Sequence, residues 1–332
     1  MLWLYDKAGD TIAHLPEYES LLTTERYREH SEWTGRFPTD AYAALEAAYF
    51  ASVDDEPEVY LVQAPELVTG KQRFAACGGL SASALLSLRT IEGTKAWSAM
   101  KAGAMVADMM STFTGARVLP ISFGTGDTLG SAFSEQRSWG DCGEIAIGLL
   151  AAQGLGMRTR FEGKSVKLDV YAPADTGLLL GEGYGDGSTS SRGRNDKKWR
   201  NYAYVAGEGE GSARIVEIVD QTSGGERREL YVDARDISRG SLTETQYRAL
   251  LAARGASKLA DHRRVDMATA TDLNAALRAG DVVWYDATMW SASFMATEVR
   301  TVRERGAVVS RTPTFGEPLG GIAQNLRRIT NG

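Results

Sequence analysis

The stretch SLLTTERYREHSEWTGRF, positions 20–37, decides the fold class. Leu21, Tyr27, Trp33 and Phe37 fall on odd positions, while Arg26, Arg28, His30, Glu32 and Arg36 fall on even ones. A period of two held over that length predicts half-buried β-strands, because successive side chains of a strand point to opposite faces of its sheet. One face is dry and the other wet.

Toward the amino terminus, short apolar runs at 2–5 and 11–15 flank Lys7, Ala8, Gly9 and Asp10, a turn-forming set that predicts a hairpin. In the other direction Pro38, Thr39 and Asp40 predict a helix start, with Tyr42, Leu45 and Tyr49 at helical spacing, and 58–63 returns to strand. Over 94–113 the residues Trp97, Met100, Met105, Met109 and Phe113 recur at helical intervals, predicting a helix stopped by Gly115. A second helix is expected over 141–153, then strands 157–161 and 165–171 joined through Gly163.

The segment 177–193 reads as a linker or exposed loop. After it come strands at 199–205, 214–219 and 227–232, then a helix over 241–254 opened by a Ser241–Glu244 capping box and closed by Gly255. A short helix at 271–279 and strands at 282–285, 294–304 and 307–312 complete the chain, the last two flanking a turn at Arg305 and Gly306. Strand-rich halves around a helical insertion make the fold class α+β.

Composition narrows the function. The 332 residues suffice for two domains, or one with a large insertion, and 43% hydrophobic with 24% charged residues is ordinary for a globular protein. A net charge of −6 gives no overall basic footprint, so DNA as a substrate is disfavoured. Cys77 and Cys142 stand far apart without a partner motif, which predicts two small buried residues and no disulfide or zinc framework. No run approaches the length of a membrane span, and positions 1–10 lack the basic and apolar regions of a signal peptide. Glycine alone is unusual, at 36 residues, eleven of them between Gly177 and Gly225.

Catalytic patterns are weak throughout. His14, His30 and His262 are isolated, with His30 expected at the surface, and no metal or cofactor site is expected. Gly124, Gly126 and Gly130 suggest a phosphate-cradling loop, but the last spacing is one residue too long for a dinucleotide fingerprint. Ser98 and Lys101 match S-x-x-K without its companion motifs and read as a solvated helix face. Asp175, Thr176 and Gly177 give a single D-T-G where aspartic proteases need a pair. Glu208 and Glu210, set among three glycines, read as a hairpin loop. No catalytic residue is assigned.

A resemblance spans the chain. The strings LYDK (4–7), EYESL (17–21), TERY (24–27) and WTGRFP (33–38), with NYAYVAGEGEG (201–211), GERRELYVDARD (225–236), GDVV (280–283) and TFG (314–316), resemble in content and order the tail-tip hub, or minor tail, proteins of long-tailed bacteriophages. These are distantly similar to the baseplate hub of contractile phages. The resemblance implies two tail-tube-like β-barrel domains, at 1–90 and 176–332, with an inserted α/β segment at 91–175. It further implies a non-enzymatic homotrimer in the virion, assembled in the host cytoplasm. That trimer would join a sixfold tube to a threefold tip, with DNA as transiting cargo. The implied neighbours are the distal tail protein, the tape-measure protein and tip or fibre proteins. A cell-wall hydrolase and a receptor-binding module are the alternatives.

Overall fold

The computed structural model describes residues 1–181, 190–270, 276–287 and 290–316. β1 (Leu2–Tyr5) and β2 (Thr11–Leu15) form the expected antiparallel hairpin. The deciding stretch becomes β3 (Ser20–Arg26) and β4 (Glu32–Phe37), and its four odd-position apolar residues are all buried. A 3-10 turn after Pro38 leads into α1 (Tyr42–Ala47), with Tyr49 beyond its end. β5 (Phe50–Val53), β6 (Val59–Leu61), β7 (Gln63–Val68) and β8 (Phe74–Leu80) follow.

The middle of the chain carries β9 (Thr94–Lys101), α2 (Ala102–Ser111), β10 (Ser122–Phe123), β11 (Ala132–Ser138) and α3 (Cys142–Ala151). β12 (Gly156–Glu162) and β13 (Ser165–Tyr171) then form a seven-pair antiparallel hairpin. Next come β14 (Ala174–Gly181), β15 (Ser190–Asn195), β16 (Tyr202–Ala206), β17 (Val216–Asp220) and β18 (Glu229–Asp233). The chain continues through α4 (Glu244–Asp261), β19 (Val265–Ala270), β20 (Asp281–Ala287), β21 (Trp290–Glu304) and β22 (Ser310–Phe315).

The two chain ends build one sheet. Ten strands join in it, along the path β15-β19-β22-β21-β3-β4-β8-β7, with β20 on β21 and β14 on β20. Its seam is the antiparallel register of β21 with β3, Thr301 opposite Thr23. A four-stranded sheet, β2-β1-β5-β6, packs on β4 and β8 through a core that includes Leu4, Trp33, Phe37 and Tyr60. Trp33 is nearly solvent-free, and its indole N–H donates to the carbonyl of Leu61 at 2.9 Å, so the buried donor is satisfied. A second core gathers α2, α3 and β12–β13 with Phe50 and Val59. α4 covers one face of the sheet β17-β16-β18 in a third. The architecture is therefore α+β; among the described residues the strand pairings close no barrel.

Four local expectations are corrected. Positions 94–101 are strand, not helix, and only 102–111 is helical. β9 carries a bulge where Met100 faces Phe133 and Trp97 faces Glu135, with Ala99 at φ 47°. The extra residue puts Trp97 and Met100 on the same core face three apart, which imitates helical spacing. α4 starts later than predicted, because the capping box is Thr243 with Gln246. Gly255 lies inside α4, where a Cβ would come within 2.6 Å of Val205 and 2.7 Å of Val219, so it serves close packing and not termination. The supposed loop at 177–193 is flanked by strand, since β14 reaches Gly181 and β15 starts at Ser190, while 182–189 lies outside the described residues. In the helix expected at 271–279, positions 271–275 are likewise outside them, and Arg278 and Asp281 close a turn into β20.

Candidate assembly surfaces

The structure brings none of the catalytic-looking motifs together. Gly124 and Gly126 are hemmed in by β13: a Cβ on Gly124 would stand 2.2 Å from the Asp169 carboxylate and one on Gly126 2.1 Å from the Val170 carbonyl oxygen, while one on Gly103 would stand 1.9 Å from the carbonyl oxygen of Gly126. The carboxylate of Asp169 accepts from the Thr125 N–H and hydroxyl at 2.9 and 3.0 Å, so this loop is tied to β13 by its own groups. Ser98 and Lys101 sit on β9, a strand and not the helix face expected of them, and Lys101 donates to the Thr128 carbonyl at 2.8 Å. Asp175 accepts from the Gly177 N–H at 2.9 Å, an Asx turn on β14. Glu208 and Glu210 lie in the connection between the antiparallel strands β16 and β17, the hairpin loop expected of them.

His30 departs from the surface reading. It is half-buried, its Nδ1 lies 2.8 Å from the Ser83 hydroxyl, and burial lowers its pKa. Cys77 and Cys142 are buried and free, as expected. Among the described residues no group of three or more His, Cys, Asp or Glu side chains is placed to hold a metal.

A junction that sequence reasoning missed locks three parts of the chain together. Tyr27, at the end of β3, donates its hydroxyl to the carbonyls of Gly154 and Tyr171 at 2.9 and 3.2 Å and stacks edge-on with Tyr171 at 5.2 Å. Two glycines make room for the ring: a Cβ on Gly156 would approach it to 2.5 Å and one on Gly280, at φ 98°, to 2.8 Å from Tyr171 and 2.9 Å from Tyr27. Beside it Glu58 is fully enclosed, accepts from Thr159 through both backbone and hydroxyl, and has its pKa pushed up to about 8 by burial. Glu25 pairs with Arg278, and Glu56 with Arg303 at 2.7 Å. Burial raises Glu25 despite its arginine. Only the alternating burial of Tyr27 was readable beforehand; its partners lie more than 120 residues away along the chain.

A second buried network fastens α4 to β11. Arg254 donates to Glu135 at 3.0 Å, to the Gln136 carbonyl at 2.7 Å and to Asp236 at 3.1 Å, and its side chain and that of Glu135 are almost fully buried.

Two surfaces stand out. Among the described residues β14, β7 and β15 are terminal strands of the large sheet, and Leu178 and Leu179 on β14 and Leu67 on β7 are exposed. Unpaired strand edges carry free N–H and C=O groups suited to pairing with another chain. On the sheet β17-β16-β18 the face away from α4 sets Tyr204 in register between Ile218 and Tyr231, which are 51% and 61% exposed.

Known proteins share this arrangement. The fold is similar to that of a tail protein from Neisseria meningitidis MC58, with TM-score 0.59 and 10% identity over 95% of this chain and 96% of that one. It is also similar to the 43 kDa tail protein of prophage MuSo2 from Shewanella oneidensis, with TM-score 0.59 and 11% identity over 95% and 97%. A third likeness is to prophage tail protein gp18 from Listeria monocytogenes EGD-e, with TM-score 0.59 and 10% identity over 99% and 98%. No curated protein matches by sequence. The sequence model of the siphovirus ReqiPepy6 Gp37-like proteins matches residues 1–317, nearly the entire described chain. On that match, which agrees with the fold and with the resemblance in the sequence, the chain belongs to the siphovirus ReqiPepy6 Gp37-like protein family.

Proposed function

We propose that this protein is a structural, non-enzymatic hub at the distal end of a phage tail. Three copies form a ring that joins the sixfold tube to a threefold tip and surrounds the path of the genome. Residues 1–90 and 176–332 supply two tube-like β units per copy, six in the ring, with 91–175 as a decoration between them. Distal tail, tape-measure and tip or fibre proteins are its neighbours in the virion.

The observation that carries this reading is the ten-stranded sheet built from both chain ends and finishing in exposed edge strands. A closed ring of copies satisfies such edges, whereas a free monomer leaves them open to uncontrolled pairing. The fold likeness to phage tail proteins and the family match support a tail role. The test is native mass spectrometry of the purified chain together with electron microscopy of assembled tails. A threefold ring at the tail end is expected; a chain that stays monomeric and is missing from the tail tip refutes the proposal. A zymogram against host cell wall separates the hydrolase alternative, since lysis abolished by changing one acidic residue would replace the hub reading.

A further inference from the structure

The net charge of −6 conceals a strong asymmetry. Residues 1–70 hold four basic side chains against fourteen acidic, whereas 190–264 hold fifteen against eleven. Folding concentrates the basic excess at one place. Arg228 and Arg264, far apart in sequence, converge on Trp199, which directly follows Lys197 and Lys198 and lines a cleft with Arg263.

The guanidinium groups of Arg228 and Arg264 lie over the Trp199 ring, 4.7 and 4.3 Å from its centroid. Asp196 orients the array by pairing with Arg194 at 3.0 Å and Arg264 at 3.1 Å. The N–H of Arg200 donates to the His262 carbonyl at 2.8 Å, which fixes the strip 197–200 beside Arg263. Lys197, Lys198 and Arg263 are exposed, and a shallow cleft of about 220 Å³ opens between Trp199, Arg200, Glu226 and Arg263. Within this neighbourhood Asp196, Glu226 and Asp261 oppose the basic groups, leaving a local positive excess in an otherwise acidic protein.

We propose that this platform binds the phosphodiester backbone of double-stranded DNA without reading sequence. Guanidinium forks match phosphate oxygens, and stacking on an indole holds two of them in place before any ligand arrives. Lysine is depleted at the cores of protein–protein interfaces, which rest on buried apolar anchors; here exposed Lys197 and Lys198 adjoin Trp199, and Leu259, which lines the cleft, is already buried. With arginines over its ring, Trp199 serves as a support for them and not as a base-stacking surface. The contact is thus to backbone and the expected affinity is modest. In the tail such a patch would give a passing genome a weak, sequence-independent contact, a role that rests on the hub reading above.

The test uses the full chain and a fluorescent random-sequence 30-base-pair duplex, read by anisotropy between 50 and 200 mM NaCl. Binding is expected with a log–log salt slope of about −2 to −4, as for two to four phosphates at roughly 0.9 each, and with no change between unrelated sequences. Lys197→Gln with Lys198→Gln, both exposed positions, is expected to weaken binding at 50 mM by at least about fivefold and to reduce the slope by about 2, with thermal stability unchanged. Arg263→Gln with Arg264→Gln gives an independent second variant.

Three results overturn the proposal: no binding at 50 mM salt, wild-type binding by both variants, or equal binding to polyglutamate or to anionic lipid vesicles. Oligomeric state is measured on the same samples. A monomer that binds DNA sinks the ring and keeps the patch, and a ring that ignores DNA does the reverse.

Discussion

Replacing Arg254 by methionine tests the join between α4 and the rest of the protein. The arginine side chain is 5% exposed and its partner Glu135 is 3% exposed, so the pair is shielded from water. Removing one member of a buried pair costs about 3–5 kcal/mol, because the other charge is left without compensation. Here the low end applies. Glu135 retains Arg137 at 3.4 Å and the N–H of Gln136 at 3.0 Å, and Asp236, 36% exposed, can return to water. The expected loss is therefore about 3 kcal/mol, or roughly 6 °C in Tm at about 2 °C per kcal/mol for a large chain.

The assay is urea denaturation of wild type, Arg254→Met, Glu135→Met and the double variant. Neither member of the pair is left facing an unpaired partner in the double variant, and the loss of Glu135 to Arg137 is common to both Glu135→Met chains and cancels in the cycle, so the double variant is expected to be more stable than the sum of the singles predicts, with a coupling of at least about 1 kcal/mol. A single-variant loss below about 1 kcal/mol, or additive singles, would refute the claim that this pair fastens α4 to β11.

Other perturbations address the remaining joins. Tyr27→Phe removes a donor from two buried carbonyls and is expected to cost about 1–2 kcal/mol by the same denaturation assay, while Gly280→Ala, which drives a Cβ into the ring of Tyr27 and needs a positive φ, should cost more. Glu58 makes stability depend on pH. Its folded pKa of about 8 exceeds the ordinary 4.5, so the folded chain holds a proton that the unfolded chain releases, and the contribution of this group to stability is greatest below about 4.5 and falls as pH rises toward 8. Glu58→Gln is expected to flatten that slope in melting curves recorded from pH 5 to 8; an unchanged slope would show that Glu58 is ionised in the fold. Leu179→Lys on the edge strand β14 should weaken self-association in sedimentation velocity while shifting Tm little, since the side chain is already exposed.

Much of the fold was legible in local chemistry. Alternation at 20–37 gave two strands of the large sheet, turn residues at 7–10 and 305–306 placed two hairpins, and the helix expected over 141–153 is α3. Such features depend on how neighbouring residues divide between water and core, and on backbone preferences within a few positions, so they survive in a one-dimensional reading. The family resemblance was legible for the same reason, since it rests on short strings in a fixed order.

What only the tertiary structure decided are the relations between distant residues. The bulge at Ala99 arises from pairing with β11 and reversed the reading of 94–101. Gly124, Gly126 and Gly255 are small because another backbone or side chain lies against them, which no spacing rule detects. Tyr27 could be seen to be buried, but not to bind the carbonyls of Gly154 and Tyr171. A net charge of −6 argued against DNA as a substrate, and only folding showed that Arg228, Arg263 and Arg264 meet around Trp199 beside Lys197 and Lys198. Charge sums discard position, while the field at a surface depends on distance, and distance is set by the fold.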